Sequence, residues 1–286
     1  SFTHRIMIPL NMYGTYKLKS IKSEGDYTVD ATVDSKRKMC LWVPLDDPTS
    51  TWKAFPRYCF EGDNFSLWSY LDIHGNWTAP WVRCSAGLSD VAAKNGVKVG
   101  TLMSIPWDVH ININWGTSGH AATLKMLTES SYGKYKYAEK LVQYMKYYGI
   151  NGIGVNSEFK SDRSSMTRLI NFFAACHEEG KKQDWEFQVY WYDGTSSSGR
   201  IHFDGGLDSH NEEMFGAGDR PVVDMLFFNY NWGKDQLNNS ARKAKSMNRS
   251  SYDIYAGCDI QKNGMRLSGG SHSWRALSQT KASVGF

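Results

Sequence analysis

The chain has 286 residues, enough for one large α/β barrel or two average domains. Its formal net charge is only +4 and its basic residues fall in short, interrupted runs, which excludes the concentrated basic stripe of a nucleic-acid binder. No apolar run approaches the roughly 20 residues that cross a bilayer, which excludes a membrane-spanning helix as a sequence-level expectation.

The first residues, Ser1-Phe2-Thr3-His4-Arg5, do not read as a signal peptide, and the chain opens without Met. The expectation is a chain whose leader has been removed, in a secreted, cell-surface or periplasmic setting, with the cytoplasm as the alternative. The stretch Tyr27 to Val33 alternates as a strand does, and Pro44 to Ser50 is rich in turn formers. Residues 1–55 are therefore expected to form an N-terminal appendage, and residues 56–286 the main domain.

From about residue 60, short apolar runs alternate with stretches of helical spacing. The predicted strands are Trp68 to His74, Val97 to Ile105, Gly152 to Glu158, Phe187 to Asp193, Val223 to Tyr230, Tyr252 to Ile260 and Ala282 to Phe286. Helices are predicted at Leu88 to Asn95, Tyr135 to Tyr148, Ser164 to Glu179, Leu237 to Met247 and Ser273 to Gln279. This rhythm implies a parallel sheet, and its length favours a closed (β/α)8 TIM-type barrel, although only seven of eight strands are legible. The chain stops inside the last predicted strand, so a piece of something longer is expected, with C-terminal β-rich domains missing. No GxGxxG turn follows an early strand, which removes the usual dinucleotide-binding form of an open sheet.

The five cysteines contain no CxxC pair and no metal-ligand spacing. His74, His110, His120 and His202 stand isolated along the chain, so no metal and no cofactor is expected. Aromatic residues reach 14%, with 11 Trp, 16 Tyr and 13 Phe. Flat apolar rings of that number suit a cleft on which pyranose rings stack, and they serve equally well as core.

The most informative segment runs from Tyr147 to Phe159. A helix ends at Gly149 and a strand follows, with Gly154, Asn156 and Glu158 spaced two apart and so on one face. In a barrel that face points inward, and Glu158 falls at the strand's C-terminal end, where such folds carry their catalytic groups. Glycosidic cleavage needs a proton donor for the leaving oxygen and something to stabilise the oxocarbenium-like centre. Glu158 supplies the first. Position 156 holds an amide where a second carboxylate commonly stands, which suits a reaction in which the sugar's own 2-acetamido oxygen attacks. On spacing alone, a strand-end carboxylate paired to a cation and a loop-capping amide are the commoner readings of these two residues.

Further motifs follow in order: Trp191-Tyr192-Asp193, Gly199-x-Ile201-x-Phe203 with Leu207 and Asn211, Phe228-Asn229-Tyr230-Asn231-Trp232, and Asp253-Ile254-Tyr255-x-Gly257-x-Asp259. Upstream stand Trp68-x-Tyr70-x-Asp72 and Ala92-Ala93-Lys94-Asn95-Gly96-Val97-Lys98-Val99. Together with Asn156-x-Glu158, these resemble family 85 of the glycoside hydrolases over about residues 65–286. The resemblance implies a (β/α)8 barrel and an endo-β-N-acetylglucosaminidase that cuts the GlcNAc-β1,4-GlcNAc core of N-linked glycans or glycoproteins. It implies retention through an oxazoline, with Glu158 as acid, Asn156 orienting the acetamido group and Tyr192 holding it. Trp232, Phe203, Trp191, Asn229, Tyr230 and Asp193 fall on its expected substrate-binding positions. Two departures touch glycan preference: Phe203-Asp204-Gly205 stands where the family has Trp-Gln-Asn, and His74-Gly75-Asn76-Trp77 where it has paired histidines.

Two alternatives remain beside it. A family 18 chitinase-like hydrolase would need acids at the places held by Asn151, Gly154 and Asn156. A non-catalytic glycan-binding barrel would use the aromatic cleft without turnover, and would need neither Asn156 nor Glu158.

Overall fold

The structure, a computed structural model, describes residue 34 and residues 36–43, 67–76, 82, 84, 86–103, 105, 119–260 and 274–286. Eight strands close into a barrel: β1 (Met39–Val43), β2 (Ile73–Asn76), β3 (Lys98–Met103), β4 (Gly152–Val155), β5 (Gln188–Tyr192), β6 (Met225–Phe228), β7 (Ile254–Gly257) and β8 (Ser283–Gly285). Each pairs in parallel with the next, and β8 closes on β1 with Met39 opposite Val284. This is the (β/α)8 barrel expected from the strand rhythm.

The strand missing from the sequence reading is β1. It lies inside the stretch expected to stand apart as an appendage, yet it pairs with β2 on one side and β8 on the other. The boundary expected at residue 55 therefore does not separate the barrel from what precedes it. The strand expected over Trp68 to His74 begins later: Trp68–Tyr70 is a 3-10 turn and pairing starts at Ile73. The alternating stretch Tyr27 to Val33 and the turn Pro44 to Ser50 lie outside the described residues.

Among the described residues, seven helices pack around the strands: α1 (Ala86–Lys94), α2 (Gly119–Leu127), α3 (Ala138–Tyr148), α4 (Arg163–Lys182), α5 (Glu212–Phe215), α6 (Lys234–Ser246) and α7 (Trp274–Ser278). The 3.6-residue period is plain in α3, which buries Ala138, Val142 and Met145 along one stripe. Gly149 ends it at φ 69°, a left-handed position that suits a residue without a Cβ, and the chain turns into β4. Asp162 caps α4 by accepting from the Ser165 amide at 2.8 Å. The sequence pattern did not reveal α2 or the four-residue α5.

Alternation along the strands sorts side chains into two cores. Ile153, Val155, Val189, Trp191, Leu226 and Phe228 point outward into the layer shared with the helices. Cys40, Ile73, Tyr190, Met225, Phe227 and Tyr255 fill the barrel interior, with Trp42 and Tyr192 packed against them. The interior rings fit because facing positions are glycines. A Cβ on Gly75 or Gly154 would collide with the Trp42 ring, one on Gly152 with Tyr190, and one on Gly257 or Gly285 with Phe227. Large and small residues thus interdigitate, leaving no room for a Cβ at these glycines. Gly154→Ala is expected to cost about 1–3 kcal/mol of unfolding free energy in a denaturant titration, as overpacked cores do. An unchanged midpoint would mean that Trp42 swings clear at no cost.

Candidate active site

β4 ends at Val155, so the alternation that places Asn156 and Glu158 on one side is carried past the strand by a tight turn. The Glu158 amide donates back to the Asn156 carbonyl at 3.1 Å. Between them Ser157 is fully buried, and its hydroxyl donates to the Tyr192 carbonyl. Its carbonyl accepts from the Thr195 amide at 2.6 Å and the Thr195 hydroxyl at 2.8 Å. Gly194 allows this close approach, since a Cβ there would strike the Ser157 carbonyl. The turn is thereby tied to the segment after β5. With Ser157 turned into the fold, Asn156 and Glu158 stand side by side, and Asn156 Nδ2 donates to Glu158 Oε2 at 3.4 Å.

Both residues line a cavity of about 740 Å³ at the C-terminal ends of the strands, within the range of about 300–1,000 Å³ usual for small-molecule clefts. Tyr192, Tyr230, Trp42 and Asp259 share its wall. The Tyr192 hydroxyl donates to Asn229 Oδ1 at 2.7 Å, Asn229 Nδ2 to Asn231 Oδ1 at 3.2 Å, and Asn231 Nδ2 to the Phe203 carbonyl at 2.7 Å. This chain of bonds links the cavity wall to the rim. Phe203 and Tyr230 stand 6.1 and 6.3 Å from Tyr192, ring to ring. Burial pushes the Tyr192 phenol well above its ordinary pKa, helped by the nearby Tyr230 and Glu158. It pushes that of Tyr230 up to about 12, with Asp259 and Glu158 adding to the shift. Both phenols therefore remain proton donors at neutral pH.

Three residues expected at the substrate do not present their side chains to it. Trp232 is fully buried in the layer between strands and helices, where its indole N–H donates to the Gly257 carbonyl at 2.7 Å. It braces the barrel wall and is not a face of the cleft. Trp191 borders the cavity, but its ring points outward and packs edge-on against Phe159 and Phe173. Asp193 is buried, accepts from the Gly205 amide at 2.8 Å and from Asn211 Nδ2 at 3.1 Å, and so holds the segment that carries Phe203. Of the two family departures, His74 is buried and stacks on Trp68 at 5.2 Å, and burial lowers its pKa to about 4, so it is neutral. Trp42 and Asp259 also line the cavity, although neither is expected there from the sequence. Trp42 lay in the supposed appendage, and Asp259 was visible only as the last letter of a motif.

Burial raises the Asp193 carboxyl to about 7 in spite of its two hydrogen bonds. In the unfolded chain it titrates at about 3.9. The folded state therefore binds the extra proton between these values, so the contribution to stability is complete below about pH 4 and is lost as pH rises through about 7. The melting temperature is expected to fall from pH 5 to pH 8, and Asp193→Asn should flatten that fall. An equally steep fall in the variant would show that Asp193 is ionised in the fold.

The family model for Glycosyl hydrolase family 85 matches residues 52–286. The chain belongs to glycosyl hydrolase family 85. Among curated relatives, the cytosolic endo-beta-N-acetylglucosaminidase of Danio rerio is 24% identical over 215 residues, which is 74% of this chain and 28% of that protein. The chain spans about a quarter of the length of the curated endoglucosaminidases it matches. The glycoside hydrolase domain of Endo-D from Streptococcus pneumoniae R6 superposes with a TM-score of 0.77 at 22% identity, over 91% of this chain and 40% of that one. That likeness confirms the barrel. A stretch of 33 residues is 88% identical to the V-type ATP synthase alpha chain of Treponema denticola, covering 12% of this chain and 6% of that one; it is too short to bear on fold or site.

Proposed function

We propose that this family 85 barrel is an endo-β-N-acetylglucosaminidase acting on the GlcNAc-β1,4-GlcNAc core of N-linked glycans with retention. The observation that supports the reading is the pairing of an amide with a carboxyl at 3.4 Å on one wall of an aromatic cavity. Glu158 protonates the leaving oxygen. Asn156 turns Nδ2 toward Glu158, which leaves its Oδ1 to accept the N–H of the substrate's acetamido group. That grip aligns the acetamido oxygen with the anomeric carbon, and ring closure to an oxazoline expels the second sugar. The proton donor then removes a proton from water as water opens the ring, and two displacements at one carbon restore the original configuration.

Tyr192 lies beside this pair as a half-buried neutral phenol whose proton goes to Asn229 Oδ1; it donates to the acetamido oxygen, or to the ring that forms from it, by exchanging that acceptor for the substrate. Phe203, half-exposed on the rim, and Tyr230 offer rings on which sugars stack. The setting we infer is the cytoplasm, because the curated relatives are named cytosolic; this replaces the secreted, cell-surface or periplasmic setting expected from the sequence. Among the described residues, Cys40, Cys176 and Cys258 are buried free thiols, which suits a reducing compartment.

Incubation with an N-glycoprotein, read by intact mass, tests the activity. One N-acetylglucosamine should remain on each glycosylated asparagine. Release of the whole glycan, or an unchanged mass, would overturn the reading.

A further inference from the structure

The segment after β5 brings together three metal-binding side chains that sequence spacing left apart: His202, Asp204 and His210. One donor atom from each lies within 4.8 Å of the others. We propose that these three residues bind a divalent transition-metal ion, zinc in the first instance, on the rim of the cavity. Two imidazoles and a carboxylate are a donor set that zinc takes readily, with the fourth place open to water.

The geometry supports this in three ways. First, His210 Nδ1 and Asp204 Oδ2 are already 2.9 Å apart, closer than the ~3.3 Å edge of a tetrahedral zinc shell with bonds of about 2.0 Å. An ion there replaces the proton they share. Second, the backbone carrying the donors is fixed independently of them. The His202 amide donates to the Gly194 carbonyl at 2.8 Å, the Gly205 amide to the buried Asp193 carboxyl at 2.8 Å, and the Ser197 amide to the His210 carbonyl at 2.9 Å. Ordering the site therefore costs side-chain freedom only. Third, Asp208 accepts from the His210 amide at 2.7 Å and keeps its carboxylate 3.6 Å from His210 Nδ1. Its negative charge, this close to the three donors, favours a cation among them.

One adjustment is required. The His202 and His210 rings are stacked, with centroids 4.0 Å apart and planes 20° from parallel, whereas a metal ion lies in the plane of each ring it binds. The His210 side chain is 43% exposed and has room to turn out of the stack. His202 and Asp204 flank Phe203, so an ion held between them fixes the residue whose ring faces Tyr192.

The test uses the full chain without a polyhistidine tag, stripped of metal and titrated with zinc by calorimetry, and with cobalt followed by absorbance. One ion per chain is expected, with a visible cobalt band of nitrogen and oxygen ligation. His210→Ala and His202→Ala should each weaken zinc at least tenfold, and the metal-free melting temperature records separately what loss of the ring stack and of the Asp204 bond does to the fold. Absence of binding in the parent chain, or unchanged affinity in both variants, would overturn the proposal. So would a thiolate charge-transfer band with cobalt, which would place the ion on a cysteine; that spectrum needs no variant and no assumption about how one folds.

Discussion

Replacing Glu158 by Gln is expected to lower kcat on an N-glycopeptide by about 100- to 10,000-fold, the contribution general acid catalysis commonly makes, while the dissociation constant for the glycan changes only a few-fold. Gln keeps the length of the side chain and a carbonyl able to accept from Asn156 Nδ2, now 3.4 Å from the carboxylate. It has no proton to give the leaving oxygen. The turn that carries it is fixed by Ser157 and Thr195, not by the carboxylate, so the cavity wall should stay in place. Turnover followed by mass and affinity followed by calorimetry separate the two effects. A variant that binds glycan as before, from a parent that never turned it over, would favour the non-catalytic glycan-binding barrel. A variant that keeps its rate would remove Glu158 from the chemistry.

The second large effect belongs to Asn156. On the proposed mechanism its amide grips the acetamido group that acts as nucleophile, and removing one group aimed at charge that develops in the transition state costs about 100- to 1,000-fold. Asn156→Ala should show that loss on an intact glycan. The same variant should lose far less on a sugar supplied as a preformed oxazoline, because the step that Asn156 assists has then been completed beforehand. Equal losses on both substrates would show that Asn156 holds the fold of the turn and not the acetamido group.

Much of the barrel was legible because parallel strands are covered on both sides and read as short continuous apolar runs. β1 was not, although Met39–Val43 is such a run. It stands between the basic run Lys36-Arg37-Lys38 and the turn formers at Pro44 to Ser50, and nothing local marks it as the partner of a strand more than 240 residues later. The Asn156 and Glu158 pairing was legible from its spacing of two, even though the strand ends at Val155 and a turn carries the pattern onward. If Tyr192 faces the cavity, then Trp191 and Asp193 must point away from it, as they do. Trp232 lies past the end of β6, where no periodicity applies, and its direction depends on the bond to Gly257. The meeting of His202 with His210 was illegible for the same reason, since irregular segments are shaped by long-range hydrogen bonds that a sequence does not display.

The claim on which the mechanism depends is that the substrate's acetamido oxygen, and no group of the protein, attacks the anomeric carbon. The direct measurement is kcat for a series of chitobiose-core substrates whose acetyl group carries zero, one, two or three fluorine atoms. Fluorine withdraws electrons from that oxygen, so log kcat is predicted to fall steadily along the series. A rate independent of fluorination would contradict the account and pass the nucleophile's role to a carboxylate of the cavity lining, for which Asp259 stands available beside Glu158 among the described residues.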